Sequence, residues 1–292
     1  IRYRRNAALK GVLNLYKPKG ITSSDAVVSC RKILGTKAIG HMGTLDPAGE
    51  GVLLLGVGKA TRLFDYYLKK DKEYEAEFCF GYATDTLDGD GIVIETTDNI
   101  PKKEDIIAVL CEFEGKQMQI PPQYSAKSIG GVRAYKLARN GGIADLQACE
   151  VEIHRVELIK QTAENTYLMR ICCSAGTYIR SVCRDIAKRL NSCATMISIK
   201  RTVCGRFSVE NAVSMETLEK LKEEALISVE EALEELPKLN LPDDLYIPLC
   251  NGIKIKALSE ENVSYALYCK GELFGIAENV GGILKIKTYL RD

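Results

Sequence analysis

The sequence predicts a core sheet with flanking helices, of the α/β or α+β class, followed by a small all-β domain. Segments with strand and helix periodicity are interspersed over residues 11–236, and several strands are joined by long connections. Pro237, Pro242 and Pro248 mark a linker. Residues 243–292 contain only short strand-like segments separated by turns. A chain of 292 residues exceeds one comfortable core, which favours two domains of unequal size.

The first predicted elements lie on both sides of a glycine-rich loop. Hydroxyl side chains within residues 21–25 open a helix that runs to Leu34 and ends at Gly35. After the loop, the apolar residues 52–55 predict a buried strand, and the alternation over residues 74–80 predicts a strand with one buried face. The remaining predicted elements are a helix over 104–113, an irregular excursion over 119–142, strands over 151–159 and 167–174, a helix from Thr177 to Leu190, an acid-rich helix over 215–236, and strands over 253–255, 265–269, 273–277 and 283–289.

The charge distribution is segregated, although the formal net charge is only +1. Residues 115–144 carry five cations and no acidic residue, and residues 178–206 carry seven cations against Asp185 alone. A charge run is usually a solvated face. Two separate basic blocks in a nearly neutral protein nevertheless fit a surface that follows nucleic-acid phosphates.

The eleven cysteines include no Cys-x-x-Cys pair and are accompanied by only two histidines, so no metal centre is expected. An odd number of scattered thiols suits a reducing cytosol, which predicts a cytoplasmic protein. No apolar run approaches the roughly 18 residues that a membrane span needs. Residues 1–10 lack the apolar core of a signal peptide, and we assign them no role in the fold.

The glycine-rich loop over residues 40–51 contains the strongest candidate for a catalytic group. Asp46 precedes Pro47, which restricts its backbone to extended conformations, and His41 lies five residues earlier. Local chemistry alone favours a simple turn, in which the carboxylate bonds to nearby backbone. Loops that follow rigid strands, however, are where catalytic side chains concentrate.

A second candidate lies at the start of the helix that follows Thr177. Arg180 falls in its first turn, where the helix dipole disfavours a cation by roughly 0.3–1 kcal/mol. Such an arginine most often points into water. The alternative is an anion that waits for it, and Asp46 is the candidate partner, which Arg180 would then hold in place.

These segments together resemble the TruB-type family of bacterial tRNA pseudouridine synthases. Residues 40–47, Gly-His-Met-Gly-Thr-Leu-Asp-Pro, resemble the family's catalytic loop, and residues 174–180, Ser-Ala-Gly-Thr-Tyr-Ile-Arg, resemble the motif whose arginine pairs with the catalytic aspartate. The likeness covers residues 11–209 in order. Further counterparts are residues 72–74, 84–88, 121–127 and 199–207, and the departures are Met42, Ala48-Gly49-Glu50 and Ile199.

The resemblance implies an α+β fold with a mixed, mainly antiparallel pseudouridine-synthase core sheet flanked by helices. It implies a catalytic domain over 11–236 with an RNA-clamping insertion at about 116–142, and a PUA-like domain over 243–292. The implied reaction converts uridine to pseudouridine at position 55 in the T-loop of tRNA, by base flipping and without metal or cofactor. The implied partner is the T-arm stem-loop, bound by a monomer that needs no protein partner.

The resemblance also implies a role for each candidate residue. Asp46 acts as nucleophile or removes a sugar proton, and both routes remain open. Tyr74 stacks on the uracil and accepts or relays the proton of C5. Tyr178 and Ile199 complete the pocket wall, and His41 fills the space that the flipped base leaves. The residues expected to contact the RNA backbone are Lys127, Arg133, Lys136, Arg139, Lys200 and Arg201.

Two other functions remain open at this stage. The chain could be a non-catalytic RNA-binding or tRNA-folding factor on the same scaffold, although the presence of Asp46, Tyr74 and Arg180 argues against a loss of catalysis. It could instead modify another RNA, as guide-dependent relatives of this family do. The compact C-terminal domain and the lack of basic tails favour the stand-alone form.

Overall fold

A computed structural model describes residues 9–125, 127–129, 132–139, 142, 144–252, 255–256 and 263–291. The strands within these residues are β1 (Gly11–Lys17), β2 (Ile39–His41), β3 (Glu50–Val57), β4 (Lys72–Phe80), β5 (Tyr82–Thr84), β6 (Val93–Thr96), β7 (Gly115–Gln119), β8 (Ser128–Ile129), β9 (Val132–Arg133), β10 (Cys149–Ala163), β11 (Thr166–Cys173), β12 (Ala194–Cys204), β13 (Phe207–Ser208), β14 (Lys238–Leu241), β15 (Ile255–Lys256), β16 (Ser264–Cys269), β17 (Glu272–Val280) and β18 (Ile283–Tyr289).

The helices are shorter and lie mostly between strands. The α-helices are α1 (Ser23–Leu34), α2 (Phe64–Leu68), α3 (Lys103–Leu110), α4 (Ala134–Arg139), α5 (Ile179–Arg189), α6 (Met215–Leu221), α7 (Val229–Ala232) and α8 (Tyr246–Cys250). Short 3₁₀ helices cover Gly58–Leu63, Cys111–Phe113, Val209–Asn211, Lys222–Ala225 and Asp243–Leu245. None of the described helices has the length and apolar character needed to cross a membrane.

The core is one nine-stranded sheet with the order β1-β3-β12-β4-β11-β10-β7, in which β2 also pairs with β3 and β13 with β12. All neighbouring pairs are antiparallel except β3 and β12, which are parallel. The predicted α+β class and the mixed, mainly antiparallel sheet are therefore confirmed. Strands β3 and β12 are neighbours in the sheet although most of the domain lies between them in the sequence, so this central pairing is long-range.

The two predicted strands around the loop form for the expected reasons. In β3, Leu53 and Leu55 face a cluster that contains α1, whereas Val52 and Leu54 face a second cluster on the other side. A strand covered on both faces has to be apolar throughout, as residues 52–55 are. In β4, alternate side chains enter the cluster against α3 and α5, which buries Phe78 and Phe80.

The caps of α1 and α5 fix how these helices present their first turns. Thr22 is the N-cap of α1 and forms a capping box with Asp25, and Gly35 ends the helix with a φ of 64°. In α5 the N-cap is Tyr178, so the helix begins after the predicted start at Thr177, whose hydroxyl donates to the carbonyl oxygen of Ser174. The first helical residue is then Ile179.

Three segments differ from the predictions. The excursion over 119–142 contains the hairpin of β8 and β9 and the helix α4. The acid-rich helix over 215–236 is broken into α6, a 3₁₀ turn and α7, each α-helix with its own serine cap. The segment assigned to a linker contributes β14, which pairs in parallel with β16.

The C-terminal strands form a five-stranded sheet in the order β14-β16-β17-β18-β15. This sheet lies against the outer face of β1 and β3, where Leu273, Ile276 and Leu290 join a buried cluster with Val12 and Val52. Burial of apolar surface at about 25 cal/mol per Å² stabilises such an interface. The small sheet is thus packed onto the nine-stranded sheet rather than attached by its linker alone.

Candidate active site

The loop that carries Asp46 is fixed by the first residue of helix α1. The Ser23 hydroxyl donates to the carbonyl oxygen of Leu45 at 2.9 Å and accepts from the Leu45 amide at 2.9 Å. Next to Asp46, the carbonyl oxygen of Pro47 accepts from the amide of Gly20 at 2.8 Å. Bonds on both sides of Asp46 hold its backbone, so the carboxylate is presented by a loop with little freedom to move.

Arg201 supports the same loop from inside the protein and is almost completely buried, with 3% of the residue exposed. Its guanidinium donates to the carbonyl oxygens of Val52 at 2.7 Å and Thr44 at 3.2 Å, and to that of Gly43 at 3.4 Å. The three nitrogens of this guanidinium are thus bonded inside the protein, and the expected contact of Arg201 with the RNA backbone stays a prediction. β3 can approach β12 this closely because residue 51 is glycine: a Cβ there would lie 2.3 Å from the carbonyl oxygen of Arg201.

The predicted ion pair is present. Arg180 Nη2 lies 3.0 Å from Asp46 Oδ2, and Arg180 Nη1 lies 3.1 Å from Asp88 Oδ2. The same guanidinium donates to the carbonyl oxygens of Thr86 and Tyr124, each at 3.0 Å. The Arg180 side chain is 8% exposed, against 14% for Asp88 and 42% for Asp46. The buried Arg180 side chain thus holds the partly exposed carboxylate of Asp46 in place.

Asp88 is the residue that anchors Arg180 from the opposite side. Its carboxylate accepts from the Thr86 hydroxyl at 2.6 Å as well as from Arg180. The sequence analysis matched residues 84–88, between β5 and β6, to the family but assigned them no role. The signal that could have identified it is the run of carboxylates over residues 85–90, which is unusual for a turn unless a cation faces it.

A buried lysine lies next to Asp46 and was missed from the sequence. Lys17 ends β1, is fully buried, and donates to the carbonyl oxygens of Pro18 at 2.9 Å and Ile21 at 2.7 Å. Burial lowers the pKa of Lys17 to about 8, although the negative charge of Asp46 acts in the opposite direction. The available sequence signal was a lysine at the end of an apolar strand, directly before a proline. A lysine at such a position usually extends its ammonium group into water, whereas this one is held by backbone carbonyl oxygens.

Asp46 opens into a cleft of about 250 Å³. Tyr74, Tyr178, Ile199 and Arg180 line it together with Asp46. The expectation that Tyr178 and Ile199 form the wall of a substrate pocket stays a prediction. Burial raises the pKa of Tyr74 to about 12, although the neighbouring Arg201 guanidinium acts in the opposite direction. The Tyr74 hydroxyl therefore remains protonated near neutral pH.

The backbone of Tyr178 is held by a glutamine that the sequence analysis did not select. Gln119 is buried; its Oε1 accepts from the Tyr178 amide at 2.8 Å and its Nε2 donates to the Tyr178 carbonyl at 3.2 Å. This two-way contact joins the end of β7 to the cap of α5. No local sequence pattern identifies such a pair, because 59 positions separate the two residues.

His41 lies at the start of the glycine-rich segment but is not among the residues that line the cleft. It ends β2, opposite Leu55 of β3. Burial and the charge of Arg201 lower the pKa of His41, so its ring is neutral near pH 7. Within the described part of the chain, its buried Nδ1 has no hydrogen-bond partner.

The other cations expected to contact RNA are placed less uniformly. Lys127 is half-buried and its Nζ contacts the Sγ of Cys149 at the start of β10. Lys200 is half-buried, with its Nζ 6.0 Å from the centre of the Tyr16 ring. The side chains of Arg133, Lys136 and Arg139 lie outside the described part of the structure. Among described residues, no group of three or more His, Cys, Asp or Glu side chains could hold a metal ion.

Residues 31–179 match the family model described as TruB family pseudouridylate synthase (N terminal domain). That match covers half of the chain and includes Asp46 and Tyr74 of the cleft, and it defines the class: the protein is a pseudouridine synthase. Relatives along nearly the whole length agree, and the chain belongs to the TruB family.

The chain is 40% identical to tRNA pseudouridine synthase B of Clostridium perfringens (strain 13) over 268 residues, which cover 89% of this chain and 91% of that one. It is 37% identical to tRNA pseudouridine synthase B of Borrelia garinii subsp. bavariensis over 273 residues, 93% of this chain and 95% of that one. Among solved structures, a chain of a Cbf5-Nop10-Gar1 complex aligns with a TM-score of 0.75 and 26% identity, covering 96% of this chain and 85% of that one.

Proposed function

We propose that this protein isomerises uridine to pseudouridine at position 55 in the T-loop of tRNA. The single observation that supports this most strongly is the contact of 3.0 Å between Arg180 and Asp46 at the floor of the cleft, in a chain of the TruB family. Relatives that are named tRNA pseudouridine synthase B support tRNA as the substrate.

The proposed reaction needs one carboxylate and no external reagent. The bond between C1′ of the ribose and N1 of the uracil breaks, the base rotates, and C5 bonds to C1′ while its proton moves to N1. As a nucleophile, Asp46 bonds to C1′ of the ribose and is displaced when C5 bonds to C1′. As a base, it removes a sugar proton and returns that proton when the new bond forms. Arg180 orients the carboxylate and offsets its charge during both halves of the reaction.

In this proposal Tyr74 relays a proton and does not act as a general base. A phenol whose pKa is about 12 is a poor acceptor of a free proton near neutrality, but it can pass one on by accepting and donating together. Tyr74 would therefore stack on the uracil and relay the C5 proton. Ile199 and Tyr178 would close the pocket around the flipped base.

The domain roles follow from the same proposal. Residues 11–236 carry the catalysis, the insertion at about 116–142 clamps the RNA, and the PUA-like part over 243–292 adds RNA contacts. Four cations of that insertion and one cation on β12 would neutralise phosphates of the RNA backbone. They are Lys127, Arg133, Lys136 and Arg139 in the insertion, and Lys200 on the strand. The protein would act as a monomer without a protein partner.

Tritium release tests the proposed reaction directly. A T-loop transcript labelled with tritium at C5 of its uridines should release one equivalent of label per RNA when incubated with the protein. A transcript in which only uridine 55 is replaced by cytidine should release none. Release from both transcripts would contradict the assigned position, and release from neither would favour the alternative of a non-catalytic tRNA-folding factor.

A further inference from the structure

The charged groups that line the cleft are already bound to the protein. Both terminal nitrogens of Arg180 donate to protein oxygens, and so do the three nitrogens of the Arg201 guanidinium. Lys72, which also lines the cleft, has its Nζ on the carbonyl oxygens of Tyr67, Leu68 and Lys70. A uracil that enters the cleft must therefore find its hydrogen bonds elsewhere.

The small hydroxyls of the cleft are partly committed too. Thr177 donates to the carbonyl oxygen of Ser174 at 3.0 Å, and the Ser174 hydroxyl accepts from the amide of Glu152 at 2.9 Å. The Thr44 side chain also lines the cleft and is exposed to solvent. Ser125 differs in being buried: its residue is only 3% exposed, it lines the cleft, and its Oγ has no hydrogen-bond partner among the residues that the structure describes. A buried hydroxyl without a partner costs about 1–3 kcal/mol, so it is expected to have a partner in another state of the protein.

The position of Ser125 along the chain ties it to the reacting carboxylate. The preceding residue, Tyr124, uses its carbonyl oxygen to accept from Arg180 Nη2 at 3.0 Å, and the same nitrogen lies 3.0 Å from Asp46. Tyr124 is also held by its hydroxyl, which donates to Asp85 at 3.3 Å. Ser125 therefore sits at the end of the cleft where Asp46 acts on the sugar.

We propose that Ser125 is a substrate-binding residue whose hydroxyl donates to a carbonyl oxygen of the flipped uracil. This inference rests on the proposed function. Next to the glycosidic bond, the substrate base offers one polar atom, O2, because the other neighbour of N1 is C6–H. Rotation of the detached base about its N3–C6 axis exchanges N1 with C5 and, with them, O2 with O4. The same hydroxyl therefore meets O2 before the rotation and O4 after it.

Serine suits this position for a physical reason. One torsion angle carries its hydroxyl, so a small rotation can bring the Oγ from its shielded position to a base in the cleft. A neutral donor also binds the detached uracil without fixing it as tightly as a charged group would. The base can thus turn between two equivalent bonding arrangements.

The first test compares Ser125→Ala with Ser192→Ala. Ser192 is a buried serine whose hydroxyl donates to the carbonyl oxygen of Asn99 at 2.7 Å, away from the cleft. Ser125→Ala should lower kcat/KM on T-loop RNA about tenfold, as for one lost hydrogen bond, and leave the thermal midpoint unchanged or higher. Ser192→Ala should lower the thermal midpoint and leave the kinetics unchanged. A Ser125→Ala enzyme within twofold of the parent would overturn the proposal.

The second test identifies the atom that Ser125 contacts. RNA with 2-thiouridine or 4-thiouridine at the target position presents sulfur, a poorer acceptor, at O2 or O4. Each thio substitution should slow the parent more than it slows Ser125→Ala, so the two losses are not additive. Equal thio effects in both enzymes would mean that the hydroxyl serves the ribose or the protein instead. Equilibrium binding of the same RNAs in an Asp46→Asn background needs no turnover, so that this contact and the proposed reaction can fail independently.

Discussion

The Arg180 guanidinium, which is almost buried, lies 3.0 Å from the half-exposed carboxylate of Asp46. The two groups are therefore unequal partners. Arg180 is held on its other side by protein oxygens, whereas Asp46 faces the cleft and remains accessible from it. An ion pair built in this way positions the carboxylate for an incoming substrate rather than closing a structural gap.

Asp46→Asn should abolish pseudouridine formation and change the affinity for T-loop RNA by less than about threefold. Asparagine keeps the shape and one acceptor oxygen, but it cannot act as nucleophile or base. Tritium release gives the rate and filter binding gives the affinity. The matched control is Asp98→Asn, an exposed aspartate that is not among the residues that line the cleft, and it should behave as the parent does. Turnover by Asp46→Asn near the parent rate would remove Asp46 from the mechanism.

The sequence was enough to predict this pair, because both members break a local rule. Asp46 is fixed before a proline in a glycine-rich loop, and Arg180 is a cation in the first turn of a helix. Two such anomalies in one chain explain each other, and the structure brings them together. The element types of the core sheet were equally predictable, since alternation and apolar runs report burial on one or two faces.

Other features depend on contacts that no local pattern contains. Lys200 and Arg201 were both expected to contact RNA, yet adjacent residues of a strand point to opposite faces, and only Arg201 turns inward. The role of Gln119 depends on a partner 59 positions away. Strand β14 forms in a proline-flanked segment because β16 supplies its hydrogen bonds. Each of these was decided by tertiary pairing.

Arg180→Lys should lower kcat/KM at least about 100-fold although it keeps the charge. Four oxygens surround the two terminal nitrogens of Arg180, and a lysine ammonium cannot span them or reproduce the planar fork. The cost should also appear as about 2–4 kcal/mol of unfolding free energy, because one ammonium group cannot reach both carboxylates and both carbonyl oxygens, and some of these buried acceptors lose their donor. Urea unfolding and tritium release measure the two effects.

The control for that variant lies one turn further along the same helix. Arg184 pairs with Asp185 and is more exposed, so Arg184→Lys should stay within about threefold of the parent in rate. If both substitutions reduced activity equally, the defect would belong to helix α5 as a whole and not to the contact with Asp46.

Gln119→Leu should weaken catalysis about tenfold by releasing Tyr178 from its fixed position. The substitution leaves the Tyr178 amide without its acceptor, which costs about 1–3 kcal/mol of unfolding free energy. Gln117→Leu provides the comparison, since Gln117 lies two residues earlier on β7 and donates to the carbonyl oxygen of Phe113. It should cost stability without a loss of rate at saturating RNA. Equal kinetics in the two variants would mean that Gln119 does not affect catalysis through its contact with Tyr178.

Lys17 should make the stability of the protein rise with pH in the alkaline range. Burial lowers the pKa of Lys17 to about 8, whereas the unfolded chain keeps the ordinary value of 10.5. Between these values the unfolded state binds more protons, so the contribution of this group to stability increases from pH 8 to about 10.5. The full change corresponds to about 3 kcal/mol.

The comparison with Lys17→Met isolates that contribution. Other groups titrate in both proteins, so the difference in unfolding free energy between them reports Lys17 alone. The difference in unfolding free energy should shift in favour of the parent as pH rises from 7.5 to 10.5. Urea unfolding at each pH measures this difference. A difference that stays constant over the range would mean that Lys17 keeps its proton in the folded state.

Simultaneous replacement of Lys127, Arg133 and Lys136 by glutamate should weaken tRNA binding and flatten its dependence on salt. Each phosphate contact that is lost removes about 0.7–0.9 from the slope of log affinity against log salt, because fewer counterions are released. The single-turnover rate at saturating RNA should change much less than the affinity, since Asp46 and Arg180 are untouched. Glutamate at three exposed lysines outside the basic blocks changes the net charge equally, and Lys103, Lys160 and Lys220 serve as that control. If the two triple variants bound tRNA equally well, the basic insertion would be a solvated face and not a clamp.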